Sequence, residues 1–120
     1  MNGELEPARW DVLRQPLDPL LSDPVRFRIQ AALQGLPPGA ALSFTALRKL
    51  LQLTDGNLGM HLRVLVEAGY AQPSTAWQGR RRRTLYSPTE TGRAAFASHV
   101  QALEGIIHAG RSGRLRSAPA

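Results

Sequence analysis

Four consecutive arginines, Arg80 to Arg83, are the strongest chemical signal in the sequence. A run of fixed positive charge suits a polyanion, and a nucleic-acid backbone above all. Arg111, Arg114 and Arg116 add a second basic group, and the rest of the chain is close to neutral within a net charge of +6. The plainer reading is a solvated charge run, but four adjacent arginines repel one another without a counter-anion. Fourteen of the 15 basic residues are arginine, so it is their placement that carries information.

Other chemistry finds little support. Cysteine is absent, which removes disulfides, thiolate metal sites and cysteine nucleophiles. His99 and His108 are nine apart, no histidine pair has the i, i+4 spacing of a metal-binding helix, and no acid-rich cluster accompanies any histidine. His61 reads as a half-buried structural residue. No serine sits in a nucleophile elbow, and the glycines punctuate the chain without building a phosphate loop. The expectation is a non-enzyme with no cofactor and no metal. At 120 residues the chain suits one domain with an arm and a tail. No apolar run approaches the roughly 18 residues of a membrane span. Residues 1–10 hold two acids and no apolar stretch, unlike a secretory signal. The reading is a cytoplasmic, nucleoid-associated protein.

The elements that must position these residues follow from local signals. Residues 1–16 read as an N-terminal arm in which Trp10, Leu13 and Leu17 share a helical face up to Pro16. Asp23 and Pro24 are an N-cap and first helical residue, and Val25, Ile29, Ala32 and Leu33 continue a helix. Gly35 to Gly39 force a loop, and Ala41 and Leu42 suit a very short strand. Ser43 caps a second helix with Leu47, Leu50 and Leu51 as its apolar stripe. Thr54 caps a third, running to about Ala68, with Leu58, Leu62 and Leu65 on one face. Gly69 ends it as a left-handed C-cap. Residues 70–77 and 82–87 read as strands around a tip at 78–81, and Pro73 puts the first on a sheet edge. A last helix runs from about Pro88 to Ala109, and residues 110–120 read as a disordered basic tail.

Two helices joined by a tight turn, then a hairpin with a basic tip, form a helix-turn-helix with a wing. Here the residues resemble a family. Thr54-Asp55-Gly56-Asn57-Leu58, His61-Leu62, Leu65 and Ala68-Gly69-Tyr70 resemble the recognition-helix signature of small bacterial winged-helix transcriptional regulators, similar to the MarR and ArsR groups. Asp23-Pro24-Val25-Arg26, Phe44-Thr45-Ala46-Leu47 and Thr89-Glu90-Thr91-Gly92-Arg93 resemble other helix starts of the same family. The resemblance spans roughly residues 17–108. It implies a mainly α fold with a small β-hairpin, sequence-specific binding of double-stranded DNA as a homodimer, and repression. Gly59 and Met60 depart from it, standing where members often carry hydroxyl or basic side chains. The alternative is a winged helix serving as an RNA-binding or protein-interaction module.

Within the third helix, the side opposite Leu58, Leu62 and Leu65 holds Gly56, Met60, Arg63 and Glu67, flanked by Asn57 and Val64. Base contacts come from such an outer face. Asn57 can pair with adenine and Arg63 with guanine or a phosphate. Met60 can touch a thymine methyl, and Gly56 permits close backbone approach. The alternatives are a local first-turn hydrogen bond for Asn57, solvation for Arg63 and internal packing for Met60. Ser43, Thr45, Arg48 and Lys49 are placed for phosphate contact, or else for capping and solvation. Strand alternation sends Arg81 and Arg83 to one face of the wing and Arg80 and Arg82 to the other. In the last helix, Phe96, Val100, Leu103 and Ile107 form a seam, with Ile106 beside it. A homodimer interface there, covered by Trp10 and Leu13, divides the chain into arm (1–16), DNA-binding domain (17–90), dimerisation helix (91–109) and tail (110–120).

Overall fold

A computed structural model describes residues 11–113. A short 3-10 turn, Val12–Arg14, leads to helix α1 (Pro24–Gln34). Strand β1 (Leu42–Ser43) runs directly into α2 (Phe44–Leu51), and a three-residue turn leads to α3 (Asp55–Glu67). Strands β2 (Ala71–Gln78) and β3 (Arg81–Pro88) form the hairpin, and α4 (Glu90–Ser112) closes the chain.

Each helix begins where a side chain satisfies the free backbone amides. Asp23 Oδ1 accepts from the Val25 and Arg26 amides at 2.8 and 3.1 Å. Ser43 Oγ accepts from Ala46 at 3.0 Å, and Thr54 Oγ1 from Asn57 at 3.1 Å. Thr89 Oγ1 accepts from Gly92 at 2.9 Å and itself donates to the Gly69 carbonyl. Gly69 takes the left-handed conformation that turns the chain out of α3, with φ +79°.

The core collects Leu21, Ile29, Leu33, Leu47, Leu58, Leu62, Leu65 and Ala71, each nearly or wholly sealed from solvent. The Leu58-Leu62-Leu65 stripe therefore faces inward as its spacing predicts. In α2 the inward face is Phe44, Leu47 and Leu51; Leu50 is 62% exposed, against the expectation of a three-leucine stripe. A residue one turn from Leu47 on the far side from Leu51 cannot reach a core that meets only one side of a two-turn helix.

The sheet has the order β1–β3–β2, all antiparallel. Pro73 thus lies on an edge strand, as its missing amide requires. The short strand is Leu42–Ser43, one residue later than expected, pairing Leu42 with Tyr86 and Ser43 with Leu85. The hairpin tip is also tighter than expected. Gln78 pairs with Arg81, leaving a two-residue loop of Gly79 and Arg80. Gly79 has φ +64°, and glycine first in a two-residue loop matches the twist of the strands.

The last helix differs from its expected outline in two ways. It continues through Gly110, Arg111 and Ser112, so these are not tail, and it ends at Gly113 in the left-handed conformation. An internal glycine costs about 1 kcal/mol relative to alanine but does not by itself end a helix. Its inward face is Gly92, Ala95, Phe96, His99 and Ala102, displaced from the expected seam. Phe96 stacks on Phe27 of α1, ring centroids 5.5 Å apart, so it serves its own chain's core. From the arm, Val12 packs on this helix: a Cβ on Gly105 would lie 2.6 Å from Val12 Cγ2. Leu13 and Leu17 stay exposed. Trp10, Arg114 and Arg116 lie outside the described residues.

Candidate nucleic-acid interface

The pair α2 and α3 is locked from several sides. Gln52 takes a left-handed conformation at the end of α2, φ 54°, which reverses the chain within three residues. Arg48 Nε reaches Asp55 Oδ1 at 3.1 Å, tying α2 to the first turn of α3. A carboxylate there also suits the positive end of the helix dipole. Behind α3, buried His61 meets Arg26 of α1, with Arg26 Nη1 3.1 Å from its Nδ1. The guanidinium can only donate, so this nitrogen accepts. Arg26 also donates through Nε to the Leu20 carbonyl at 2.8 Å. His61 is thus a packed structural residue, more deeply buried than its sequence position suggests.

The face of α3 away from the core carries Gly56, Asn57, Met60 and Arg63, all exposed. The Asn57 backbone amide donates to Thr54 Oγ1, and among the described residues no hydrogen bond engages its carboxamide. Met60 is 50% exposed, so it is not part of the core. A Cβ at Gly56 or Gly59 would meet nothing within 4 Å, so neither glycine is demanded by internal packing.

The four residues placed for phosphate contact separate. Ser43 is buried and its hydroxyl caps α2, the alternative reading for that residue. Arg48 is half-buried and paired with Asp55. Thr45 and Lys49 are exposed.

Arg80 to Arg83 are all exposed on the wing. Arg81 and Arg83 face the side shared by Gln78 and Ala76, and Arg83 Nη1 donates to Gln78 Oε1 at 3.3 Å. Arg82 faces the other side, opposite Trp77. Between the wing and the start of α2 lies an open groove of about 560 Å³, walled by Phe44 and Thr45 on one side and Arg81, Arg82, Arg83 and Thr84 on the other. It joins the basic wing to the helix-turn-helix in one surface. Trp77, near the end of β2, is a part of this surface that the sequence reading does not single out, because its place opposite Arg82 depends on strand register.

A second network fixes α3 against α4. The Tyr70 hydroxyl donates to Asp18 Oδ2 at 2.5 Å. Asp18 Oδ1 accepts from the Leu20 and Leu21 amides, and the Asp18 amide donates to Nδ1 of buried His99 at 2.9 Å. Burial alone would raise the Asp18 carboxyl, but hydrogen bonds from Tyr70, Leu21 and Leu20 outweigh it and hold it below its ordinary value. The same bond pushes the Tyr70 hydroxyl up to about 12. The Tyr70 carbonyl accepts from Gln30 Nε2 and from the Thr89 amide, both at 3.1 Å. Arg93 donates to the Gln34 and Leu36 carbonyls at the end of α1.

Residues 25–107 match the family described as a winged helix DNA-binding domain. The chain belongs to this family. An uncharacterised protein of Methanocaldococcus jannaschii is 37% identical over 76 residues, 63% of this chain and 79% of that one. A transcriptional regulator homologue from Pyrococcus horikoshii OT3 superposes with a TM-score of 0.72 at 26% identity, covering 87% of this chain and 98% of its own. The transcriptional regulator BldR from Sulfolobus solfataricus shares the fold with a TM-score of 0.61 at 15% identity, over 88% of this chain and 72% of that one. A mutant MepR from a multidrug-resistant S. aureus clinical isolate does so at 0.60 and 17%, over 96% and 81%. The chain thus shares its winged-helix fold with these transcriptional regulators. Among the described residues, no helix is long and apolar enough to cross a membrane, and no group of three His, Cys, Asp or Glu is placed to hold a metal.

Proposed function

We propose that this winged helix is a sequence-specific regulator of transcription that binds double-stranded DNA as a homodimer in the cytoplasm and represses the genes it sits on. The observation that carries the reading is the shared exposure of two chemistries on one module. Asn57 and Arg63 are exposed on the outer face of α3, and Arg80 to Arg83 are exposed on the wing. The helix enters the major groove, where Asn57 and Arg63 have the geometry to read base edges and Met60 to meet a thymine methyl. Gly56 brings the helix backbone close to the DNA. Thr45 and Lys49 touch phosphates, and the wing follows the backbone or the minor groove. Repression follows from a compact protein occupying promoter DNA.

The homodimer rests on α4, with Val100, Leu103, Ile106 and Ile107 facing a second copy and Leu13 of the arm beside them. Ile107 and Leu13 are 48% and 42% exposed, as unpartnered apolar residues would be.

Genomic fragments captured by the purified protein define a preferred site, and its affinity is then compared with random duplex and with structured RNA at fixed salt. Preference for one duplex sequence is expected. In Asn57→Ala and Arg63→Ala, that preference should shrink by about 1–3 kcal/mol for each true base contact. Equal affinity for RNA and for every duplex would overturn the assignment.

A further inference from the structure

The wing carries an aromatic residue that neither the fold nor the arginines require. Trp77 is 67% exposed, the most exposed large apolar side chain among the described residues. Its side chain takes part in no ring contact and no hydrogen bond among them. Strand pairing sets it directly opposite Arg82, so indole and guanidinium stand on the same face of the hairpin. Thr84 and Tyr86 follow on that face, and with Arg82 they line the groove toward Phe44 and Thr45. Residues 71–88 contain four arginines and no acid, so every charge on the hairpin that carries the indole is positive.

We propose that Trp77 is a DNA-contact residue, its indole packing on the deoxyribose wall of the groove that the wing meets while Arg82 engages an adjacent phosphate. The proposal rests on the DNA-binding reading given above. Charge complementarity selects the occupant: an indole beside a guanidinium, on a hairpin without acids, suits a surface that alternates apolar sugar and anionic phosphate. Sugar rings recur at every nucleotide, so the contact adds affinity on any sequence. It sets how firmly the wing is seated, while α3 chooses the site.

The chain has two tryptophans, and Trp10→Phe leaves Trp77 as the sole reporter. That variant is titrated with an unlabelled random-sequence duplex of about 20 base pairs, following indole emission and acrylamide quenching. Anisotropy of the same duplex carrying a dye counts the complex independently. The expected result is a change in Trp77 emission and protection from acrylamide, both tracking the anisotropy curve. In the wild-type background, Trp77→Ala is expected to weaken binding about three- to tenfold on specific and random duplexes alike. The slope of log affinity against log salt should stay unchanged, because no neutralised phosphate is lost. Trp77→Phe should recover most of the affinity. Absence of anisotropy change overturns the DNA reading and this proposal with it. Duplex binding with unaltered Trp77 emission and quenching, or parental affinity in Trp77→Ala, overturns the Trp77 assignment alone.

Discussion

At Asp18 a single carboxylate joins the segment before α1 to the exit of α3, while its own amide holds His99 of α4. Asp18 and Asp23 are both held below the ordinary carboxylate value of 3.8, Asp23 chiefly by the Arg26 amide. Their contribution to stability is present above that value and lost as pH falls through the lower folded values. Tyr70 acts in the opposite sense. Its contribution is full below the ordinary 10.0 and lost as pH rises toward about 12. Tyr70→Phe should therefore flatten the alkaline loss of stability and also shrink the acid loss, because the Asp18 carboxyl loses a hydrogen bond that holds it low; urea midpoints across both ranges read both. Gly92 has no such latitude. A Cβ there would run into the Tyr70 carbonyl and approach Gln30 Nε2. Gly92→Ala should destabilise by about 1–3 kcal/mol in urea denaturation, as overpacking of a closed site does.

The elements were legible wherever their signals were local. Asp23, Ser43, Thr54 and Thr89 each cap the helix that follows, and Leu58, Leu62 and Leu65 report their buried face by spacing alone. Leu50 misled because a two-turn helix meets the core on one side only. In α4, Phe96 left the expected seam because apolar spacing does not say which residues α1 takes up; Phe27 decided that. The bonds joining Asp18 to Tyr70 and His99 span 52 and 81 positions, and nothing near any of the three marks them. At the interface, the exposure of Asn57, Arg63 and the arginines was legible, whereas the pairing of Arg48 with Asp55 was not. Two elements invite direct tests. Gln52 holds a left-handed conformation that glycine adopts without a Cβ clash, so Gln52→Gly should stabilise the turn by up to about 1 kcal/mol in thermal or urea unfolding. Replacing Arg80 to Arg83 with alanine should reduce the salt slope of DNA binding by about 0.9 for each phosphate contact removed. It should weaken all sequences alike, measured by anisotropy at several salt concentrations.

For the whole molecule the governing feature is α4, whose 23 residues span about 34 Å. Its first turns are sealed into the winged helix by Gly92, Phe96 and His99, and its later turns carry Ile107 outward. Two copies meeting along those later turns can set two copies of α3 about one DNA turn apart. Leu103→Glu with Ile107→Glu should give a folded monomer, read by sedimentation, that binds a palindromic site far more weakly than the parent. The wing has a further effect at this scale. Strand β2 is the longer of the sheet's two edge strands, and such an edge can recruit a strand from another molecule. Pro73 withholds an amide from that edge near its base, and mutual repulsion of the arginines opposes the approach of a second wing at its tip. The charge that would suit the hairpin to a polyanion also opposes the joining of unliganded copies edge to edge, so that the same four side chains bear on both colloidal stability and the proposed DNA contact.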